Sequence, residues 1–336
     1  MRELVLPALV GLLPVSCFLA ALLYLDSYKL VSLRAVIGVV AVGAAVAGAS
    51  YLLNVQLLAA FPIDFALFTR YVSPLSEELL KALVIVALIR THRIGFLVDA
   101  AIAGFAVGTG FAVVENLYYL NTRPDASMGV WIVRGFGTAI MHGGATAIFA
   151  VMGLAMVEKS KSMAAALVPG FIVAVVFHSI FNHFFLSPFI SAIGVAIALP
   201  LLLGAVFTRS EAALGQWLGK GFDADSEMLD LINSGAFSNS PIGRYLHELK
   251  EKFEGPVVAD LLCYLRLYTE LALRAKGVLM MRENGFDMPI DDATRDKFTE
   301  MDYLEKSIGK TGLLALKPML HMSQRDLWQL HVLGKQ

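Results

Sequence analysis

The chain has 336 residues, 57% of them hydrophobic and 16% charged, with a mean hydropathy of +0.68. Soluble globular proteins carry about 25% charged residues, so this composition excludes a soluble enzyme and marks an integral membrane protein. A formal net charge of −1 offers nothing to nucleic acid, and Cys17 and Cys263, one in an apolar and one in a polar segment, make neither a disulfide framework nor a Cys-x-x-Cys metal motif.

The first apolar run, Leu4 to Leu25, follows an n-region without a charge excess. It is long enough to cross a bilayer, so it reads as a first transmembrane helix and not a signal peptide. A second runs from Val31 to Leu53, rich in small residues suited to close helix packing. The third segment, Asn54 to Tyr71, is interrupted by Pro62 and Asp64 and is expected to be a broken span or an interfacial helix. Ser73-Pro74 reads as the N-cap and first turn of a fourth helix, which ends at the basic turn Arg90–Arg93. A fifth, Phe96 to Leu120, carries Gly104-x-x-x-Gly108, whose default meaning is packing. The sixth, Gly129 to Val157, holds Arg134 and His142. The seventh, Met163 to Phe185, holds His178, Asn182 and His183, and the eighth, Phe189 to Phe207, has no charge.

Residues 209–336 carry 35 of the 55 charged residues and show apolar positions at helical spacing, Leu261, Leu262, Leu265, Tyr268, Leu271 and Leu273 among them. The expected fold is therefore all-α. A polytopic membrane helix bundle of about eight spans, residues 1–208, precedes a soluble, mainly helical domain, residues 209–336. With eight spans both termini share a side, and loop Lys and Arg residues place that side in the cytoplasm. His247-Glu248-Leu249-Lys250-Glu251 lacks the second histidine of a zinc-protease motif.

The organising stretch is Ser76-Glu77-Glu78-Leu79-Leu80-Lys81, flanked on both sides by apolar sequence. An intramembrane charge costs at least ~2.5–3.5 kcal/mol, so three within about a turn must face a partner or a cavity. Lys81 stands four residues from Glu77 and three from Glu78 and can reach either. In the eight-span reading Glu77, Glu78, Glu115, His142, His178 and Asn182 reach a common depth in the outer half of the bilayer, with Arg134 available to balance a carboxylate. A carboxylate in an apolar cavity is a usable general base near neutral pH. Histidines move protons, and a carboxamide can donate to an oxyanion. The same side chains can hold zinc. Taken singly, each is more often an interhelical hydrogen-bonding residue than a catalyst; the set favours a site.

Glu77-Glu78-x-x-Lys81, Phe111-x-x-x-Glu115-Asn116, His142 and His178-x-x-x-Asn182, in that order on successive helices, resemble the PrsW family of intramembrane proteases, within the superfamily of CAAX prenyl endopeptidases and bacteriocin-processing enzymes. The resemblance covers residues 70–190. The CAAX enzymes proper have Arg after the Glu pair at a longer spacing and His in place of Glu115, and this chain departs from them at both points. The resemblance implies a glutamate-dependent endopeptidase in the bacterial cytoplasmic membrane. Its substrate would be a membrane-anchored protein such as an anti-sigma factor, cut on the outer side. Glu77 or Glu78 would be the base, Glu115 and His142 would position water or shuttle protons, and His178 and Asn182 would bind the oxyanion. Lys81, Asn116 and Arg134 would support them. No cofactor is expected, with zinc at the Glu/His cluster as the alternative. An ion-coupled transporter and a non-catalytic membrane scaffold are the competing classes.

Overall fold

The computed structural model describes residues 2–333 other than Pro62, Glu158, Lys161, Asp287, His321 and Met322. The expected break at Pro62 and the loop charge of Lys161 therefore lie outside the described residues. Every regular element among those described is helical, and the chain divides into two compact units, Met1–Glu211 and Ala212–Gln336.

The first unit contains α1 (Arg2–Leu25), α2 (Leu33–Ala60), the single turn α3 (Phe65–Leu67), a π-helical turn (Phe68–Val72) and α4 (Ser73–Arg90). Then come α5 (Leu97–Thr122), α6 (Met128–Val133), a second π-helical turn (Arg134–Ala139), α7 (Ile140–Val157), α8 (Met163–His183) and the first part of α9 (Pro188–Asn233). Six stretches are long and apolar enough to cross a membrane: Leu4–Leu25, Leu33–Ala60, Leu97–Thr122, Met128–Val157, Met163–His183 and Pro188–Asn233. α4 is a seventh helix of 18 residues. Its length, about 27 Å at 1.5 Å per residue, approaches a bilayer core, and its charges Glu77, Glu78, Lys81 and Arg90 set it apart from the other six.

The expected third span, Asn54 to Tyr71, is not a separate helix. α2 continues through Asn54 to Ala60, and Asp64 then caps a new start by accepting from the backbone N–H of Ala66 (2.9 Å) and Leu67 (3.2 Å). From there the chain passes through the π turn directly into α4, so Ser73-Pro74 lies inside a helical run and does not begin one. Proline has no N–H to give the carbonyl four residues back, and its ring crowds that carbonyl. The π turn absorbs the mismatch. The carbonyls it frees are satisfied from α8: Ser179 Oγ donates to the Arg70 carbonyl at 2.6 Å and Asn182 Nδ2 to the Thr69 carbonyl at 2.9 Å.

The Ser27 N–H donates to Glu211 Oε1 (3.2 Å) and the Val98 N–H to Ser210 Oγ (3.2 Å). The α1–α2 turn, the start of α5 and position 211 thus share one end of the bundle. The first turn of α1 and the turn after α5 lie at the other end.

Between helices in lipid there is no hydrophobic drive, so association rests on van der Waals contact and small residues. α5 is clamped this way on two faces. A Cβ at Gly108 would lie 2.3 Å from the His142 carbonyl oxygen, and one at Gly104 2.7 Å from the Ala147 Cα, both on α7. On the other face a Cβ at Gly110 would lie 2.0 Å from the Val40 carbonyl oxygen on α2. The Gly104-x-x-x-Gly108 motif is the surface that seats α7, and with it His142.

The second unit continues α9 and adds α10 (Pro241–Glu248), α11 (Gly255–Glu283), α12 (Asp292–Leu316) and α13 (Gln324–Val332). Its core gathers Leu261, Leu265, Tyr268 and Leu271 of α11 against Met301 and Leu304 of α12. Of the positions read from the sequence, Leu261, Leu265, Tyr268 and Leu271 form the buried stripe of α11, while Leu262 and Leu273 are only partly buried. α12 is kinked at Gly309, whose φ of 64° falls in the left-handed region.

Candidate active site

Adjacent residues on a helix point about 100° apart, so the two glutamates of α4 cannot share surroundings. Glu78 faces inward, 2% exposed, and its Oε1 accepts from Lys81 Nζ at 2.7 Å and from His178 Nδ1 at 2.9 Å. Glu77 turns toward α2. Its Oε1 accepts from the Ser73 hydroxyl and from Asn54 Nδ2, the latter at 3.3 Å, while its Oε2 lies 4.0 Å from His178 Nε2. Of the two partners open to Lys81, the structure joins it to Glu78.

Lys81 is fully buried, and its ammonium also donates to His142 Nδ1 at 2.8 Å and sits 4.0 Å above the Phe111 ring. An ammonium has no lone pair, so His142 Nδ1 is the acceptor, and Nε2 carries the proton that faces Glu115 Oε2 at 3.0 Å. His178 takes the opposite tautomer. Its Nδ1 donates to Glu78, which leaves the Nε2 lone pair directed to the side of Glu77. The two rings stand edge to face, with centroids 4.7 Å apart and planes at 89°.

Glu115, near the end of α5, is held by Arg134 Nη2 at 3.3 Å as well as by His142. Arg134 opens the second π turn, stacks 3.7 Å above the Tyr119 ring and donates through Nε to Asn116 Oδ1 at 2.8 Å. Asn116 in turn donates to the Gly11 carbonyl of α1 at 2.7 Å. This chain of contacts runs from α1 to the carboxylate and gives Arg134 and Asn116 their supporting roles. Arg134 and Tyr119 also line a cavity of about 800 Å³, with Arg123, Ser127, Trp131 and Phe189, at the end of the bundle that holds the turn after α5.

Glu77, Glu78, Lys81, Glu115, His142 and His178 thus form one contiguous network from four helices. Asn182 is elsewhere engaged: its carboxamide donates to the Thr69 carbonyl. His183 donates from Nδ1 to the Ser179 carbonyl (2.7 Å) and accepts at Nε2 from the Tyr71 hydroxyl (3.0 Å). Sequence reasoning missed Asn54 and Ser73, which donate to Glu77 Oε1, and Ser76, which donates to Asn54 Oδ1. The available signal was Asn54 itself, a carboxamide within the apolar run of α2.

A family model described as PrsW family intramembrane metalloprotease matches residues 31–205, just over half of the chain. The chain belongs to the PrsW family. Membership makes it an intramembrane protease, and the matched segment contains every residue of the network. No curated protein and no solved structure matches the chain.

The word metalloprotease raises the question of whether these side chains suit a metal ion. Glu77, His142 and His178 each bring one ligand atom within 4.8 Å of the others. One carboxylate with two imidazoles is a donor set used by catalytic zinc. A carboxylate on His178 Nδ1 is the usual outer partner of a metal-bound histidine. The residues fit by type and spacing. The mark against them is His142, whose two ring nitrogens are both engaged and whose Nδ1 meets an ammonium, which lowers its strength as a ligand.

Proposed function

We propose that this PrsW-family chain is a glutamate-dependent endopeptidase that cuts a membrane-anchored protein, with Glu77 as general base. The observation that supports this most is the space between Glu77 Oε2 and His178 Nε2. The two atoms are 4.0 Å apart, each with an unused lone pair. A water bound to both would give its proton to the carboxylate as it attacks a peptide carbonyl. The proton then goes to the leaving amine, with His178 as relay. Glu78 is spoken for by Lys81 and His178 and acts by holding the imidazole in the required tautomer. Lys81 and Arg134 surround the cluster with two positive charges. Their field favours the anionic tetrahedral intermediate where bulk water is scarce.

A metal reading is favoured by the three donors within 4.8 Å of one another. Held by Glu77, His142 and His178, a zinc ion would polarise the carbonyl and acidify a bound water. In that case Glu77 would be a ligand, and the base would have to come from another carboxylate of the network, Glu78 beside His178 or Glu115 beside His142.

The site lies toward the end of the bundle that carries the turn after α5, and we place that end outside the cytoplasm. With seven crossings, the opposite end collects Lys29, Arg34, Arg90, Arg93, Lys159 and Arg209. The site's end has only Arg2, Arg70 and Arg123. This bias exceeds the one the eight-span reading produced. It keeps position 211 cytoplasmic and moves the amino terminus outside.

The test uses the purified full-length chain with single-span reporters drawn from a library of varied sequence around the membrane boundary. Glu77→Gln keeps the shape and removes the base, and is expected to lower cleavage by ~10²–10⁴-fold. Activity is expected to survive dialysis against strong chelators. Stoichiometric zinc, with activity lost on its removal and regained on its return, would move Glu77 from base to ligand. Ser127→Cys is expected to react with an impermeant maleimide in intact cells, and Ser160→Cys only after lysis. The reverse pattern would put the cut on the cytoplasmic side.

A further inference from the structure

We infer that Asn54 of α2 is a positioning residue for the catalytic carboxylate; this rests on Glu77 acting in peptide hydrolysis as proposed above. Asn54 Nδ2 donates toward Glu77 Oε1 (3.3 Å) and Ser73 Oγ (3.2 Å), and its Oδ1 accepts from Ser76 Oγ at 2.5 Å. The Ser73 hydroxyl donates to the same Oε1, and Ser76 also leans on the Ser73 carbonyl at 2.9 Å. Every hydrogen bond described for Glu77 therefore falls on one oxygen. Two donors pin Oε1 and leave Oε2 directed at His178 Nε2. A carboxylate without them is free to turn about its terminal torsion, which is broad and nearly two-fold. At intermediate angles of that torsion the plane of the carboxylate would turn its free oxygen away from the water, and the two donors hold the plane against this.

The competing account is that Asn54 merely glues α2 to α4. Interhelical hydrogen bonds in membranes average only ~0.6 kcal/mol, so glue of that strength is dispensable. The arrangement argues otherwise. The carboxamide contacts the carboxylate itself, and the serines that complete the ring lie one and four residues before Glu77 on its own helix.

Asn54→Leu separates the two accounts, because it keeps the volume and restores apolar contact between α2 and α4. With a reporter that the unaltered chain cleaves, Asn54→Leu is expected to lower kcat by about tenfold to a hundredfold, the cost of misplacing a reacting group. KM should stay within about twofold, since binding is untouched. The melting temperature of the purified chain is expected to be unchanged. Ser73→Ala should lower kcat as well. The double variant should fall short of the product of the two single losses, because both side chains hold one oxygen. Were Asn54→Leu to keep kcat within about twofold, or to lose kcat only in step with thermal stability, the inference would be overturned. A chain that cuts no member of the reporter library would overturn the protease reading and this inference together. Cleavage by the unaltered chain, with Asn54→Leu equally active, overturns the inference alone.

Discussion

The two compact units invert each other. In Met1–Glu211 the exposed side chains are largely Leu, Ile, Val and Phe; Glu78, Lys81, Asn116, His142 and His178 are buried together, while Asp26 and Asp99 are buried at the opposite end, where they accept from backbone N–H groups. In Ala212–Gln336 the core is Leu261, Leu265, Tyr268 and Leu271, and ion pairs such as Arg274–Asp291 and Arg295–Asp292 stand on the surface. In a bilayer a polar side chain finds partners only among its own kind, so such residues gather, and their gathering marks a site. The second unit keeps most of its described charges exposed, with Lys276 among the buried exceptions, paired with Asp225 at 2.5 Å.

If the inversion is the controlling fact, neighbouring residues of the first unit should fail in different ways. Glu77→Gln removes activity and leaves the fold. Glu78→Gln leaves the Lys81 ammonium buried beside a neutral amide. Removing one partner of a buried pair costs about 3–5 kcal/mol, so this variant should lose stability as well as activity. Thermal unfolding of both variants in one detergent checks the difference. Equal melting temperatures would show that Lys81 finds a substitute partner.

Packing changes come next and have opposite signs of volume in the two units. Leu271→Ala empties part of the core of the second unit, where Leu271 is 1% exposed. About 2–5 kcal/mol of that unit's stability should go, read as faster amide exchange along α11 and α12. Gly108→Ala adds a methyl where a Cβ would lie 2.3 Å from the His142 carbonyl oxygen. Overpacking costs about 1–3 kcal/mol. The displaced backbone carries a site residue, so reporter cleavage should fall further than melting suggests. A variant with full activity would show that α7 can shift without moving the His142 ring.

The same contrast accounts for what the sequence made legible. Glu77, Glu78, Glu115, His142 and His178 stood out because apolar residues surround them, and the structure brings all five together. The segment from Asn54 to Tyr71 misled because its polar residues read as a weak span. They are in fact the end of α2, a capped start at Asp64 and a π turn. The hydrogen bond from Asn182 to the Thr69 carbonyl was not legible, because the vacant carbonyls ahead of Pro74 are a consequence of backbone register, which composition does not display. The opposite tautomers of His142 and His178 follow from which side chain meets which nitrogen, and no spacing rule encodes that.

The smallest expected effect belongs to the second unit, at Glu270 of α11. Its Oε2 accepts from Lys297 Nζ at 2.6 Å and its Oε1 from Arg266 Nε at 3.1 Å. Partial burial alone would raise its pKa, but Lys297 and then Arg266 outweigh it and hold the carboxyl below the ordinary 4.5. A carboxyl depressed in the folded state adds stability that is complete above its unfolded value. That stability is lost as pH falls through the folded value. Glu270→Gln should therefore cost a few tenths to about 1 kcal/mol at pH 7, the range for partly exposed ion pairs. The two proteins should converge as pH falls through that depressed folded value, and high salt should narrow the gap at neutral pH. Amide exchange of α11 and α12 in the full chain, followed from pH 7 downward, measures it. A gap that persists undiminished in acid would mean that Glu270 serves α11 by packing, as the buried residues of the first unit serve theirs, and not through its charge.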